Sequence, residues 1–287
     1  MINPYLAVLA GVLAVSFSAV FVRLSEAPAL MIATYRLLFT FLLLAPFTLA
    51  KYYRELTQLS LKQVALACMS GIFLALHFAT WFVSLNYTSV ASSVVLVTTQ
   101  PIFVVIGSYL FFHEKVSTKA LWGGALALLG SIYIGATDFQ VGGQALFGDF
   151  LALTAAILVS GYLIIGRKLR AEISLSSYTF CTYGASSLTL IIASYLTHTP
   201  FGPYPLHEWA LFGALAVVCT IGGHTVFNWA LKYVQASVVA VSILGEPLGA
   251  ILWASLFLHE TPTLRQSLGG LIILLGLFVF TRYANKK

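Results

Sequence analysis

A few polar side chains fall inside long apolar runs, where each is costly to keep. Glu246 lies in SILGEPLGAILW (Ser242–Trp253), directly before Pro247. Arg36 lies in YRLLFTFLLL (Tyr35–Leu44). His77 and Trp81 are spaced i, i+4, and so are His224 and Asn228. That spacing puts both members of a pair on one helix face. The chemistry these groups offer is recognition. A guanidinium meets a carboxylate through a planar fork. Imidazole, indole and amide groups supply a few directed polar anchors among aromatic walls, which suits an amphipathic solute. Tyr35 and Tyr162 add phenols to the same candidate set.

Glu246 has two compatible roles. Insertion of a charge at a helix centre costs about 2.5–3.5 kcal/mol. Neutralising a glutamate at pH 7 costs about 3.7 kcal/mol from its reference value. The costs are similar, so Glu246 is a candidate for proton or substrate coupling. The alternative is structural: a polar residue before a proline can bond backbone groups that the break sets free.

Catalytic motifs are missing. His113-Glu114 and His259-Glu260 do not extend to H-E-x-x-H, because Ser117 and Thr263 stand where the second histidine belongs. Both pairs are expected to end helices at an interface. No phosphate-binding glycine loop and no G-x-S-x-G is present. Cys68, Cys181 and Cys219 all lie in apolar stretches without metal or disulfide spacing. No metal, cofactor, ATP use or nucleophilic catalysis is expected.

The elements that position these residues follow from composition. Of 287 residues, 60% are hydrophobic and 8% charged. Soluble domains carry roughly 25% charged residues, so the solvent of this chain is a bilayer. A spanning helix needs about 20 apolar residues. Ten stretches qualify, roughly 4–22, 30–50, 63–85, 90–112, 118–136, 147–166, 175–196, 208–230, 237–258 and 264–283. They leave no room for a soluble domain, so residues 1–287 are expected to form one membrane domain. The first stretch lacks a basic leader and an A-x-A site, and is expected to be retained as a helix.

The net charge of +6 does not point to nucleic acid. With the N-terminus inside, the inside segments carry Lys51, Arg54, Lys62, Lys115, Lys119, Arg167, Lys168, Arg170, Lys232, Arg282, Lys286 and Lys287. The outside segments carry Arg23 and Arg265. This positive-inside bias predicts cytoplasmic termini in the inner (plasma) membrane.

The chain also repeats itself. Thr98–Gly130 aligns without a gap to Leu244–Gly276 at an offset of 146. Pro101 matches Pro247, Gln100 matches Glu246, and Gly123-Gly124 matches Gly269-Gly270. Halves 1–140 and 147–287 therefore each hold five helices. Five is odd, so the second half enters the membrane in the opposite sense. Inverted repeats are characteristic of transporters, with sites at the midplane between the halves. The repeat is asymmetric in charge, since Thr182-Tyr183 stands where a twin of Arg36 would fall. Gly245 and Gly249 have G-x-x-x-G spacing, which favours close helix approach. The fourth and ninth helices are therefore expected to act as scaffold near the pseudo-twofold axis, outside the cavity wall.

The segments YRLLFTFLLL, QPIFVVIGSYLFFHEKVS, GDFLALTAAILVSGYLIIGRKL and EPLGAILWASLFLHETPTLRQSLGGLIILLG give the chain a close family resemblance. It resembles the EamA-type, ten-helix members of the drug/metabolite transporter superfamily. The resemblance implies an all-α membrane protein, with ten transmembrane helices in two inverted five-helix repeats around a cavity. It also implies that the third and eighth helices line that cavity. The expected function is secondary transport of small amphipathic metabolites by alternating access, with export of amino acids or related compounds foremost. An importer of the same fold is one alternative. A membrane-embedded enzyme is another, though these short loops lack the Asp/His/Ser clusters it would need. The expected partners are a small-molecule substrate and the lipid bilayer, with the protein a monomer or weak homo-oligomer.

Overall fold

The computed structural model describes residues 3–84, 86–88, 90–135, 143–257 and 262–284. The His259-Glu260 pair lies outside the described residues. The described chain is helical: α1 Pro4–Leu24, α2 Ala29–Gln58, α3 Leu61–Ser84, α4 Val90–Val97, α5 Gln100–Phe112, α6 Thr118–Gly135, α7 Gly143–Arg170 and α8 Leu175–Leu196. Then follow α9 Leu206–Ala214, a π-helical segment Leu215–Thr225, α10 Val226–Ala230, α11 Ala236–Ile243, α12 Glu246–Phe257 and α13 Leu264–Ala284. Among the described residues, nine continuous stretches are long and apolar enough to span a membrane, and Thr118–Ile134 is a shorter tenth.

The two broken helices follow from the prolines. Proline lacks an N–H and fits only the first turn of a helix. Pro101 and Pro247 each occupy the second position of a new helix, α5 and α12, after α4 and α11 have ended. The backbone near the breaks is bonded by small hydroxyls. Thr98 Oγ1 donates to the Val95 carbonyl at 2.9 Å, Thr99 Oγ1 to Leu96 at 2.6 Å and Ser242 Oγ to Val238 at 2.8 Å. Neither the Glu246 carboxylate nor the Gln100 amide makes a hydrogen bond among the described residues. The hydrogen bond to freed backbone expected for Glu246 is not formed in this structure.

Symmetry appears in the packing. α3 packs on α7, and its mirror is α1 on the π segment and α10. α5 packs on α7, and α12 on α1. α2 pairs with its own counterpart α8, and α6 with α13. Each of these pairs joins one half to the other, so neither half has a core of its own. The start of α1, the end of α13 and the α5–α6 turn share one end of the bundle, where Ser117 Oγ donates to the Tyr283 carbonyl at 2.9 Å. We call this the terminal end and the opposite one the far end.

The turns are tied in matching ways. At the far end, Ser25 Oγ and the Glu26 N–H donate to the buried Glu208 carboxylate at 2.5 and 2.6 Å. At the terminal end, Gln63 Nε2 donates to Glu172 Oε2 at 3.2 Å. Charged α2 residues beyond the expected limit of 50 continue the helix to Gln58, past its apolar part.

The eighth span departs from its twin. α3 has 24 residues, whereas Leu206–Ala230 has 25. A π turn holds one residue more than an α turn, and Leu215–Thr225 is π-helical where α3 is a regular α-helix. This irregularity is invisible to apolar periodicity.

Candidate functional site

A central cavity lies where the two halves meet, with about 790 Å³ of empty space including its mouth. Arg36, His77, Trp81, Gln100, His224 and Glu246 all line it, as does Pro247. Seven spans thus contribute: α1, α2, α3, the α4–α5 break, α7, the π segment with α10, and the α11–α12 break. The breaks place Gln100 and Glu246 at corresponding positions of the two halves. The expectation that the fourth and ninth helices stay out of the cavity wall is corrected here. Gly249 does bring α12 against α1, since an added Cβ would lie 2.6 Å from Ser16 Cβ. That close approach turns the first turn of α12 toward the cavity.

Arg36 is held rigidly and left incomplete. It is 1% exposed, so it does not reach for the bilayer surface. Its Nε donates to Thr220 Oγ1 at 2.9 Å and its Nη1 to Ser18 Oγ at 2.9 Å. Its guanidinium lies over the Phe78 ring, 4.4 Å from the centroid, a favourable stacking contact. Nη2 has no partner. Glu246 is near enough to feel this charge, but no ion pair within 4 Å joins them. Thr220, the anchor for Nε, is carried by the π segment and also donates to the Leu215 carbonyl at 3.2 Å.

The imidazoles and indole complete the wall. His77 Nδ1 lies 2.9 Å from the Ala155 carbonyl. A carbonyl only accepts, so Nδ1 carries the proton and Nε2 is left as an acceptor. Trp81 stacks on His77 at 5.9 Å, and its Nε1 is buried without a partner. His224 packs edge-on to Phe78 at 5.6 Å, and its Nδ1 is likewise unpartnered. A buried polar group without a partner costs about 1–3 kcal/mol. Three such nitrogens on one wall, with an unbonded carboxylate beside them, describe a site that a polar ligand or water completes. The offered groups are donors at Arg36 and Trp81 and acceptors at His77 and Glu246.

Three of the candidate residues lie elsewhere. Tyr35 is at the far end, where its hydroxyl donates to the Phe201 carbonyl at 2.6 Å and its ring stacks on Phe212 at 5.0 Å. Tyr162 and Asn228 lie outside the cavity lining, on its terminal side. The Tyr162 hydroxyl donates to Asn228 Oδ1 at 2.9 Å, and Asn228 Nδ2 donates to the Tyr183 hydroxyl at 3.4 Å. Tyr183 in turn meets Thr225 Oγ1 at 2.9 Å. All of Tyr162, Tyr183 and Asn228 are fully buried. The i, i+4 rule failed for Asn228 because the π segment ends between it and His224 and turns the two side chains apart. Asn228→Leu is expected to take the acceptor from the buried Tyr162 hydroxyl, while Tyr183 keeps Thr225, and to lower stability by about 1–3 kcal/mol. Thermal unfolding in detergent measures this, and an unchanged midpoint refutes the network. Pro101 faces a different, apolar pocket. Ser18, Thr220 and Phe78 carry no spacing signal that marks them in the sequence.

With this geometry in place, comparison with known proteins is informative. The sequence pattern of the EamA-like transporter family matches twice, over residues 2–136 and 146–282. The chain belongs to the EamA-like transporter family. The two matches fall on the two structural halves. Similar EamA-like relatives include a transporter of Archaeoglobus fulgidus, 29% identical over 92% of this chain and 91% of its own length. The pseudopaline exporter CntI of Pseudomonas aeruginosa is 25% identical over 78% of this chain and 77% of its own. The transporter YoaV of Bacillus subtilis is 28% identical over 72% and 70%. One solved crystal structure shares the fold with a TM-score of 0.82 at 18% identity, covering 98% of this chain and 97% of that one. This chain is therefore an all-α membrane transporter of the EamA type.

Proposed function

We propose that this protein is a secondary carrier that exports small amphipathic metabolites by alternating access, with amino acids and related compounds as the leading class. The observation that carries the reading is the pair of unsatisfied charges in the central cavity. Arg36 offers a donor to a carboxylate, and Glu246 offers an acceptor to an ammonium group. Phe78, Trp81 and Phe227 supply the apolar wall. The direction rests on the resemblance to CntI, which is named as an exporter. Residues 1–287 act as one membrane domain, and halves 1–140 and 147–287 rock about the cavity. The basic residues gathered at the terminal end support a cytoplasmic position for that end. One chain holds the whole cavity, which supports a monomer or weak homo-oligomer.

Glu246 is proposed to exchange a proton for the substrate's cationic group. Both cannot occupy one carboxylate, so loading of one releases the other. The purified protein in liposomes, challenged with an amino-acid and metabolite panel, is expected to show saturable flux with opposite proton movement. No saturable flux of any solute refutes the carrier reading. Glu246→Gln is expected to keep the cavity's shape, lose proton movement and flatten the pH dependence of flux. Proton movement that persists in this variant refutes the coupling role alone.

A further inference from the structure

A second hollow lies apart from the central cavity. It runs along α7 between α3 and α5 and holds about 1340 Å³ of empty space, including its open side. Met69, Phe73 and Ile164 give it an apolar length. Glu114, Arg167 and Lys168 stand at its terminal end. Met69 is 39% exposed and Phe111, at the rim, 72% exposed, so the groove opens sideways toward the bilayer.

The other half shows this position closed. At the offset of 146, Gly107 corresponds to Trp253, Arg167 to Phe21 and Lys168 to Val22. Trp253 stacks on Phe17 with ring centroids 4.1 Å apart, and its Nε1 donates to Ser16 Oγ at 2.9 Å. It fills the space along α1. α5 has only Gly107 at this level, with Ile164 against it. One half therefore has an aromatic plug, and the other has an open groove whose mouth carries two cations, Arg167 and Lys168, and two carboxylates, Glu114 and Glu172.

The charges at that mouth are not all used. Arg167 Nε and Nη2 donate to Glu114 Oε1 at 3.1 and 3.0 Å, and Nη1 donates to the Leu231 carbonyl at 2.8 Å. Glu114 Oε2 stays buried without a partner. Lys168 is exposed and has no ion pair among the described residues. A free carboxylate oxygen beside a free ammonium, at the end of an apolar slot, complements a headgroup carrying both charges. The cation must donate a hydrogen bond to satisfy Glu114. A choline headgroup has no N–H, and a glycerol headgroup has no cation.

We propose that this groove binds a phospholipid with a primary-amine headgroup, phosphatidylethanolamine. Its ammonium donates to Glu114 Oε2, its phosphate meets Lys168, and an acyl chain lies over α7. Basic pockets between membrane helices are known to hold lipid headgroups, and the orphaned carboxylate oxygen here selects the amine. The bound lipid bridges α3, α5 and α7 beside the Arg167–Glu114 pair.

The test is native mass spectrometry of the full chain, released from micelles holding equal amounts of phosphatidylethanolamine, phosphatidylcholine and phosphatidylglycerol. The amine lipid is expected to be retained about tenfold over the choline lipid, the value of one charge-assisted hydrogen bond. Glu114→Gln is expected to abolish that preference. Lys168→Ala, at an exposed site that leaves the fold intact, is expected to lower retention of the amine lipid severalfold. Met69→Trp is expected to fill the slot and lower retention of all three. Equal retention of the three lipids, meaning annular lipid only, overturns the proposal. So does a preference for phosphatidylglycerol, or retention unchanged in all three variants.

Discussion

Arg36→Gln is expected to reduce substrate binding by about 100-fold or more while leaving the fold intact. Truncating one partner of a buried charge pair costs about 2–5 kcal/mol in binding, and each 1.4 kcal/mol is tenfold. The substrate carboxylate would lose its donor at Nη2. Stability should behave differently. A buried cation carries a desolvation penalty, which the variant removes. Thr220 and Ser18 each lose the Arg36 donor, but Thr220 keeps its own bond to the Leu215 carbonyl. The expected signature is lost transport with a melting midpoint that is unchanged or raised. Arg36→Lys is expected to be weak as well, because a single ammonium cannot hold Ser18, Thr220 and a substrate carboxylate together. Wild-type affinity in either variant, read by competition flux in liposomes, refutes this role.

Gly276→Val is expected to be the most damaging single change to the fold. α6 and α13 cross with backbones in contact, and four glycines make this possible. A Cβ on Gly276 would lie 2.7 Å from the Gly123 carbonyl oxygen, and one on Gly123 would lie 2.8 Å from that of Gly276. Gly130 and Gly269 are reciprocal in the same way, at 2.8 and 3.0 Å. The obstacle is backbone, so no rotamer change relieves it and the helices must separate. Overpacking costs about 1–3 kcal/mol where neighbours can adjust and more where they cannot. A loss of about 3 kcal/mol or more is expected, seen as a fall in thermal midpoint and in folded monomer on size exclusion. Gly213→Ala is the control, since nothing lies within 4 Å of its added Cβ. Equal behaviour of the two variants refutes the crossing.

These glycines show how much of the fold could be read in advance. Gly123, Gly130, Gly269 and Gly276 align in the repeat, which identified α6 and α13 as twins. Nothing in that alignment said that the twins touch each other. The same holds for Gln100 and Glu246. Their alignment and their prolines predicted two matching breaks, and the breaks are present. Spacing alone suggested a scaffold role for these helices, but the first turn of α12 faces the cavity. For His77 and Trp81, i, i+4 spacing on a regular helix was enough to place both on one wall. For His224 and Asn228 it was not, because a π segment intervenes.

Composition and repetition by themselves determined the class: a membrane chain of ten apolar stretches in two inverted halves. These properties are set by transfer of side chains into lipid and by counting crossings, and neither needs a partner residue. Which polar groups are satisfied was decided only by the tertiary structure. Arg36 depends on Ser18 and Thr220, which lie 18 residues before and 184 residues after it in the chain. Glu246 lines the cavity without a hydrogen bond among the described residues. A hydrogen bond depends on distances of a few ångström between groups remote in sequence, and local patterns do not encode those distances.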